Sequence, residues 1–393
     1  MAVLEATPEL LRPSDIDHAF RDPLALSSRT RGISWIALLV ILVAFPLVFT
    51  NPAVTSVAVF TMFYVLATVA WNIFSGYSGY ISIGHATFYG FGQYTVALLI
   101  LHLGIKSGVG ELGMLPLAGL AGAAVAVPVG LLVLRVRRHT FIVLTIAVMF
   151  IFQLLAFNFP SITGGSTGMN VTPPTWSGNN FNLPFYYIAL GTAILALLTS
   201  WGVRRSKFGL GLLAIRDDED RAKGLGIKVT RTKLIALVIS AFYVGIAGGL
   251  YAIFVGQVFP QFAFTPFYDL YLAVFSFVGG LGTLAGPVLG SLVLGPLQQY
   301  FEIQFGATTL YLIIYGLLFI VILLLLPRGV APSIADRYRA LRIRRQNFGN
   351  DPNLNNRPPS QGGPPGSSGP PGTPDGAMPT PAMSAEPTVR EGA

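Results

Sequence analysis

Apolar runs close to twenty residues long recur along this chain, and no other feature restricts its fold as strongly. They lie at 33–49, 53–74, 81–103, 114–134, 140–158, 184–203 and 234–256, between short polar breaks. About 20 helical residues cross the hydrocarbon core of a bilayer, where only helices and closed barrels satisfy their own backbone. The next run, 267–300, has 34 residues. As one helix it would measure about 51 Å against a core of about 30 Å, so it must break. The break is visible at GGLGTLAGP, residues 279–287. With a last run at 308–326 the count is about ten spans, and the expected class is an all-α polytopic membrane protein. Only 11% of the residues are charged and 53% are hydrophobic, far from soluble averages of about 25% charged.

The charges test the count. Segments rich in Arg and Lys lie at RVRRH (135–139), at 204–233 and at 328–345, and the polar leader 1–32 carries Arg12, Arg21, Arg29 and Arg31 balanced by acids. Ten spans put all four on one side, cytoplasmic by the positive-inside rule, and leave the charge-free 160–183 loop on the other. A single pass through 267–300 would place the last basic segment outside. The expected organisation is therefore a cytoplasmic leader (1–32), a transmembrane domain (33–345) and a Pro/Gly-rich disordered cytoplasmic tail (346–393). The run at 33–49 is too long for a signal-peptide core and lacks a small-x-small cleavage site, so it reads as a retained span. The net charge of +8 sits mostly in loops and speaks for topology rather than nucleic-acid binding. The chain has no Cys, hence no disulfide and no thiolate metal site. It contains no Walker A pattern, dinucleotide fingerprint or H-E-x-x-H helix, so it has no energy source of its own and no expected catalytic, metal or cofactor site.

The island at 204–233 holds nine basic and four acidic residues of a chain with 25 Lys+Arg and 17 Asp+Glu. Its middle reads as one helix, 210–223, with Gly224 as a C-cap. Arg216–Asp220 and Glu219–Lys223 have i,i+4 spacing on one charged face. Ala214, Asp218, Ala222 and Leu225 form a second face of small or apolar groups around one acid, suited to a shallow groove. A solvated loop that merely joins two spans would carry the same charges.

Two stretches depart from plain spans. GYSGYISIGHATFYGFGQY, 76–94, places Ser82, Gly84, His85, Thr87 and Gln93 at membrane depth, and 277–296 contains Gly279, Gly280, Gly282, Thr283, Gly286 and Gly290. As parts of the third and eighth spans, which run in opposite directions, they fit a five-plus-five inverted repeat. Gly-interrupted spans in matching halves point to a transport pathway, with Ser82, Gly84, His85, Gln93, Gly279, Gly280, Gly282 and Thr283 as candidates. Glycines that let helices approach would look the same. His85 is either functional at that depth or a neutral ring bonded to a neighbouring helix. Asp269 reads as an anchor at the outer end of its span. Few charges at membrane depth suit a solute without net charge, such as a zwitterionic amino acid or urea.

In combination, GYSGYISIGHATFYGFGQYTVALL, GLGLLAIRDDEDRAKGLGIKVTRTK and GGLGTLAGPVLGSLVLGP resemble the LivM-type permease of branched-chain amino acid ABC importers, over about 35–330. The resemblance implies that AIRDDEDRAKGLGI is a cytoplasmic coupling helix seated on the ATPase, through Ala214, Ile215, Arg216, Asp217, Asp218, Arg221, Ala222 and Gly224. It implies a LivH-type sister permease, two ATPase subunits that consume the ATP, a periplasmic binding protein and a bacterial inner membrane. The urea permease shares the S-x-G-H region and the coupling loop, so urea or another amide or amino acid is an alternative solute. An ion-coupled secondary transporter, with His85 and Asp269 as coupling groups, is the rival from another class.

Overall fold

The computed structural model describes residues 28–104, 108–172, 174, 176, 181–306, 313, 316 and 317. Most of the leader, nearly all of the run at 308–326, the basic segment at 328–345 and the tail at 346–393 lie outside the described residues. What is described is an all-α polytopic membrane protein. Seven helical segments are long and apolar enough to cross a bilayer: Pro52–Gly76, His85–Leu103, Gly110–Val133, Arg138–Asn158, Asn182–Arg205, Val229–Val255 and Pro260–Gly279.

The regular helices are α1 (Ser28–Val48), α2 (Pro52–Trp71), α3 (His85–Leu103), α4 (Leu115–Val133), α5 (Arg138–Asn158), α6 (Asn182–Arg205), α7 (Lys207–Asp217), α8 (Glu219–Gly224), α9 (Val229–Val255), α10 (Pro266–Gly279) and α11 (Gly286–Phe305). Local chemistry sets several ends. Asn51 accepts the Ala53 N–H at 3.0 Å and Pro52 takes the first helical position, where its missing N–H costs nothing. Pro266 opens α10 in the same way. α1 starts at Ser28, inside the stretch read as a leader.

α9 is the central helix and lies against α2, α3 and α4. It holds them closely because small residues line its faces: a Cβ on Gly92 of α3 would stand 2.0 Å from the Gly245 carbonyl oxygen, and one on Gly122 of α4 2.6 Å from that of Ala241. Between helices in lipid no water is released, so backbone approach and close packing supply the attraction. α5 is peripheral, with 28% of its apolar window buried, against 67% for the segments containing α2 and α10.

Loops gather at two ends. At one, β1 (Met169–Asn170) pairs antiparallel with β2 (Gln257–Val258), tying the 159–181 loop to the α9–α10 connection. At the other, the charged island meets both Gly-rich breaks. Two readings are corrected there. The third span does not begin at 81: residues 79–84 are non-helical and α3 starts at His85. The breaks at 79–84 and 280–285 both open toward the island, so they do not occupy matching positions of an inverted repeat. Gly279, Gly286 and Gly290 instead close the α10–α11 hairpin, with a Cβ on Gly290 falling 1.9 Å from the Phe275 carbonyl oxygen.

If close approach at Gly92 holds α3 to α9, Gly92→Leu will lower the thermal midpoint of the detergent-solubilised protein by several degrees, in line with an overpacking cost of about 1–3 kcal/mol. An unchanged midpoint would show that the two helices are held elsewhere.

Candidate functional site

A helix that ends inside a membrane protein leaves carbonyl or N–H groups without partners, and in a water-poor interior each such group costs several kcal/mol. Here those ends are satisfied by side chains from distant elements. Past Trp71 the chain makes one wider turn, Asn72–Gly76. Asn72 then joins the two breaks: its Oδ1 accepts the Gly282 N–H at 2.9 Å and its Nδ2 donates to the Thr283 carbonyl at 3.0 Å. Arg216 of α7 donates to the Gly76 carbonyl at 2.8 Å, and Arg204 of α6 to that of Gly282 at 3.0 Å. Arg138, in the first turn of α5, donates to the carbonyls of Ile215, at 2.9 Å, and of Arg216. Three guanidinium groups thus sit on carbonyls at or just beyond the C-terminal ends of α2, α10 and α7, where the helix dipole is negative.

Arg216 needs two glycines to be seated. Gly79 (φ +71°) and Gly282 (φ +76°) adopt left-handed backbone conformations, and a Cβ on them would lie 2.9 Å from Arg216 Cγ and 2.1 Å from Arg216 Nη1. Both the conformation and the space exclude other residues.

The island is a helical hairpin rather than the single helix expected over 210–223. α7 runs to Asp217, the chain extends at Asp218 (φ −153°, ψ 113°), and α8 begins at Glu219. Asp218 is the N-cap of α8, accepting from Asp220 N at 3.0 Å and Arg221 N at 3.1 Å. This break prevents the expected Arg216–Asp220 pair, while Glu219–Lys223 forms at 3.1 Å. Gly224 is the last residue of α8, not its C-cap; the left-handed position is Gly226. Arg216 turns inward, Ile215 and Ala222 are buried, and Ala214 and Asp218 are half-buried. Asp217, Asp220, Arg221, Lys223, Gly224 and Leu225 remain exposed, Leu225 by 80%.

A second clamp ties the hairpin to the 79–84 turn. Tyr80 donates its hydroxyl to Glu219, and the Lys233 ammonium lies 4.0 Å from the centre of the Tyr80 ring and 3.5 Å from Glu219 Oε1. Arg138 stands over the same ring at 5.9 Å. Burial and then the Glu219 carboxylate push the Tyr80 phenol up, which keeps it the donor. For Glu219, burial acts upward, but the Tyr80 hydroxyl, Lys233 and Lys223 outweigh it and hold the carboxyl below its ordinary value.

Deeper in, His85 uses both ring nitrogens: Nδ1 is 2.9 Å from Ser82 Oγ and Nε2 is 2.9 Å from Ser240 Oγ. Ser240 donates its own proton to the Ala70 carbonyl at 2.7 Å, so it accepts from Nε2–H, and a neutral ring completes the chain. His85 bonds a neighbouring helix, one of its two expected readings. The structure brings Ser82, Gly84 and His85 beside the end of α2, where Trp71 donates to the Ser82 carbonyl at 3.0 Å, and Gly280, Gly282 and Thr283 to the same end. Gln93 does not join them; it is buried two turns further along α3. Asp269 is buried and accepts the Ala86 N–H, rather than anchoring an outer end. Sequence reasoning missed Asn72, Tyr80, Arg138, Arg204 and Ser240. Asn72 within an apolar run and Arg138 within RVRRH were signals. Among the described residues no three His, Asp or Glu side chains come together as metal ligands.

The described residues thus form an all-α membrane protein whose charged island bonds two breaks in its helices. Comparison with known proteins identifies the kind. The branched-chain amino acid transport system / permease component family matches residues 53–323, and the chain belongs to that family. The high-affinity branched-chain amino acid transport system permease protein LivM of Salmonella typhimurium is 30% identical over 322 residues, 75% of this chain and 74% of that protein. The LivH permease protein of Escherichia coli K12 is 26% identical over 285 residues, 68% of this chain and 90% of that protein. The xylose transport system permease protein XylH of Haemophilus influenzae is 32% identical over 121 residues, 30% of this chain and 32% of that protein. No solved structure matches the chain.

The Glu219 clamp carries a pH signature. A carboxyl held below its unfolded value adds stability that is present above about pH 4.3 and disappears as the pH falls through the folded value. Thermal midpoints measured from pH 7 to pH 3.5 will therefore fall further in the wild type than in Glu219→Gln. Parallel curves would show that the clamp contributes nothing.

Proposed function

We propose that this chain is one of two permease subunits of an ABC importer that carries branched-chain amino acids across a bacterial inner membrane. In this reading about ten helices span the bilayer, with both termini cytoplasmic. A LivH-type permease is the sister subunit, two ATPase subunits bind and hydrolyse the ATP, and a periplasmic binding protein delivers the solute. The observation that carries the reading is the α7–α8 hairpin: its Arg216 and Glu219 fasten it inward to Gly76 and Tyr80, Arg204 in the last turn of α6 just before it bonds Gly282 of the second break, and its outer surface is exposed.

That surface suits an ATPase cleft. Leu225 projects between Gly224 and Gly226, flanked by Asp220, Arg221 and Lys223, so an apolar tip is ringed by charges of both signs. Closure of the ATPases around ATP would move the hairpin, and the arginine contacts would carry that movement to α2 and α10. Ser82, Gly84 and His85, with Gly280, Gly282 and Thr283, then lie where the movement arrives, and the pathway opens and closes around them. Gly279 serves the α10–α11 hairpin instead.

The family and the LivM and LivH relatives support leucine, isoleucine and valine as solutes. A calorimetric titration of the cognate binding protein tests this: tight binding of those three amino acids is expected, and binding of urea or xylose with none of them would overturn the substrate. The hairpin assignment has its own test. Leu225→Asp will leave the permease inserted and paired with its sister, while the ATPases no longer co-purify and ATP-driven leucine uptake into proteoliposomes drops at least about tenfold, as expected when a buried apolar anchor is lost. Wild-type uptake and a full complement of ATPases in the variant would exclude Leu225 from the contact.

A further inference from the structure

α3 starts inside the protein, and its first turn is not capped from its own side. Gly84 occupies the N-cap position and provides no side chain, and a Cβ there would lie 2.8 Å from Thr145. The start is also deep. His85 bonds Ser240, which is eleven residues into α9, about 16 Å along that helix from the island end.

The missing cap comes from α10. Both carboxylate oxygens of Asp269 lie 3.1 Å from the Ala86 N–H. Asp269 is itself in the first turn of α10 and fully buried. A single carboxyl group therefore stands at the N-terminal ends of two helices, and accepts a first-turn N–H that has no partner within its own helix. Beside it Tyr268 stacks on Tyr89 of α3, with ring centres 4.0 Å apart. The pin is a contact between the first turns of α3 and α10, made far from the island.

The other end of α10 is held by the island. Ten residues beyond Asp269, about 15 Å along the helix, Gly279 leads into the turn where Gly282 accepts a bond from Arg204 and donates one to Asn72. α10 is thus a short rod fastened at one end to the charged island through Arg204 and at the other to the start of α3, which bears His85 and follows Ser82 and Gly84.

We propose that Asp269 is a positioning residue for transport: it pins the internal start of α3 to α10, so that movement of the hairpin reaches the 82–85 turn. This rests on the hairpin being the contact for the ATPases. Asp269 touches no solute in this role, and its loss leaves the hairpin and its outer surface unaltered.

The test uses the full reconstituted complex, with both permeases, the ATPases and the binding protein, and radiolabelled L-leucine as the probe. ATP hydrolysis stimulated by the loaded binding protein reports on the hairpin, and uptake reports on the helices. With Asp269→Ala, stimulated hydrolysis will persist while leucine taken up per ATP falls about tenfold, the scale of one lost hydrogen bond to a buried backbone donor. Asp269→Asn, which keeps an acceptor oxygen, will recover part of that ratio. If both variants lose uptake and hydrolysis in step, or keep the wild-type ratio, Asp269 is a packing residue and the proposal fails. Should Asp269→Ala not assemble, the ratio in Asp269→Asn decides alone, and a wild-type value there overturns the proposal. A wild-type complex without stimulated hydrolysis would instead overturn the reading of the hairpin.

Discussion

The structure depends on how helices that stop inside a membrane protein dispose of their free backbone groups. Water is scarce there, and an unpaired carbonyl or N–H is costly. This chain places a polar side chain from another element on four such groups: Arg216 on Gly76, Arg204 on Gly282, Arg138 on Ile215 and Asp269 on Ala86. Each bond stabilises an interruption and also fastens it to its donor. The interruptions cannot be present without the fastenings.

That link between stability and connection bears on function. In the proposed coupling the driving force enters at a surface and passes to groups inside the membrane. The charged island at 204–233 holds that surface and also supplies Arg216, Glu219 and Lys233 to the inward contacts. Glycine marks the places where the charged groups enter: Gly79 and Gly282 leave the slot that the Arg216 side chain fills. The Gly-rich breaks are therefore seats for charges as much as points of flexure.

Seven of the spans were legible because bilayer thickness and helix rise leave little choice of length, and the island was legible because its charges cannot lie in lipid. The clamp was not. Asn72 and Thr283 are 211 residues apart, and Arg216 and Gly76 are 140 apart, so neither pair leaves a local pattern. The division of the hairpin did leave one: Asp218 followed by Glu219 and Asp220 is an N-cap with acids in the first turn. The i,i+4 spacing of Arg216 and Asp220 concealed it by suggesting a continuous helix. For the Gly-rich stretches, periodicity could not separate packing from pathway. Gly286 and Gly290 close a hairpin, whereas Gly282 receives two side chains and faces a third.

The central claim is that the hairpin and the two breaks move as one body. The absence of native cysteine allows it to be measured, since two introduced cysteines carry the only spin labels. Lys207, exposed at the start of α7, and Leu284 in the α10–α11 turn are suitable positions. Pulsed electron spin resonance on the assembled transporter, with and without ATP, gives the distance between them in each state. The account predicts one distance, unchanged by nucleotide while uptake proceeds. A distance that shifts when ATP binds would mean that the hairpin slides over the breaks, and would contradict it.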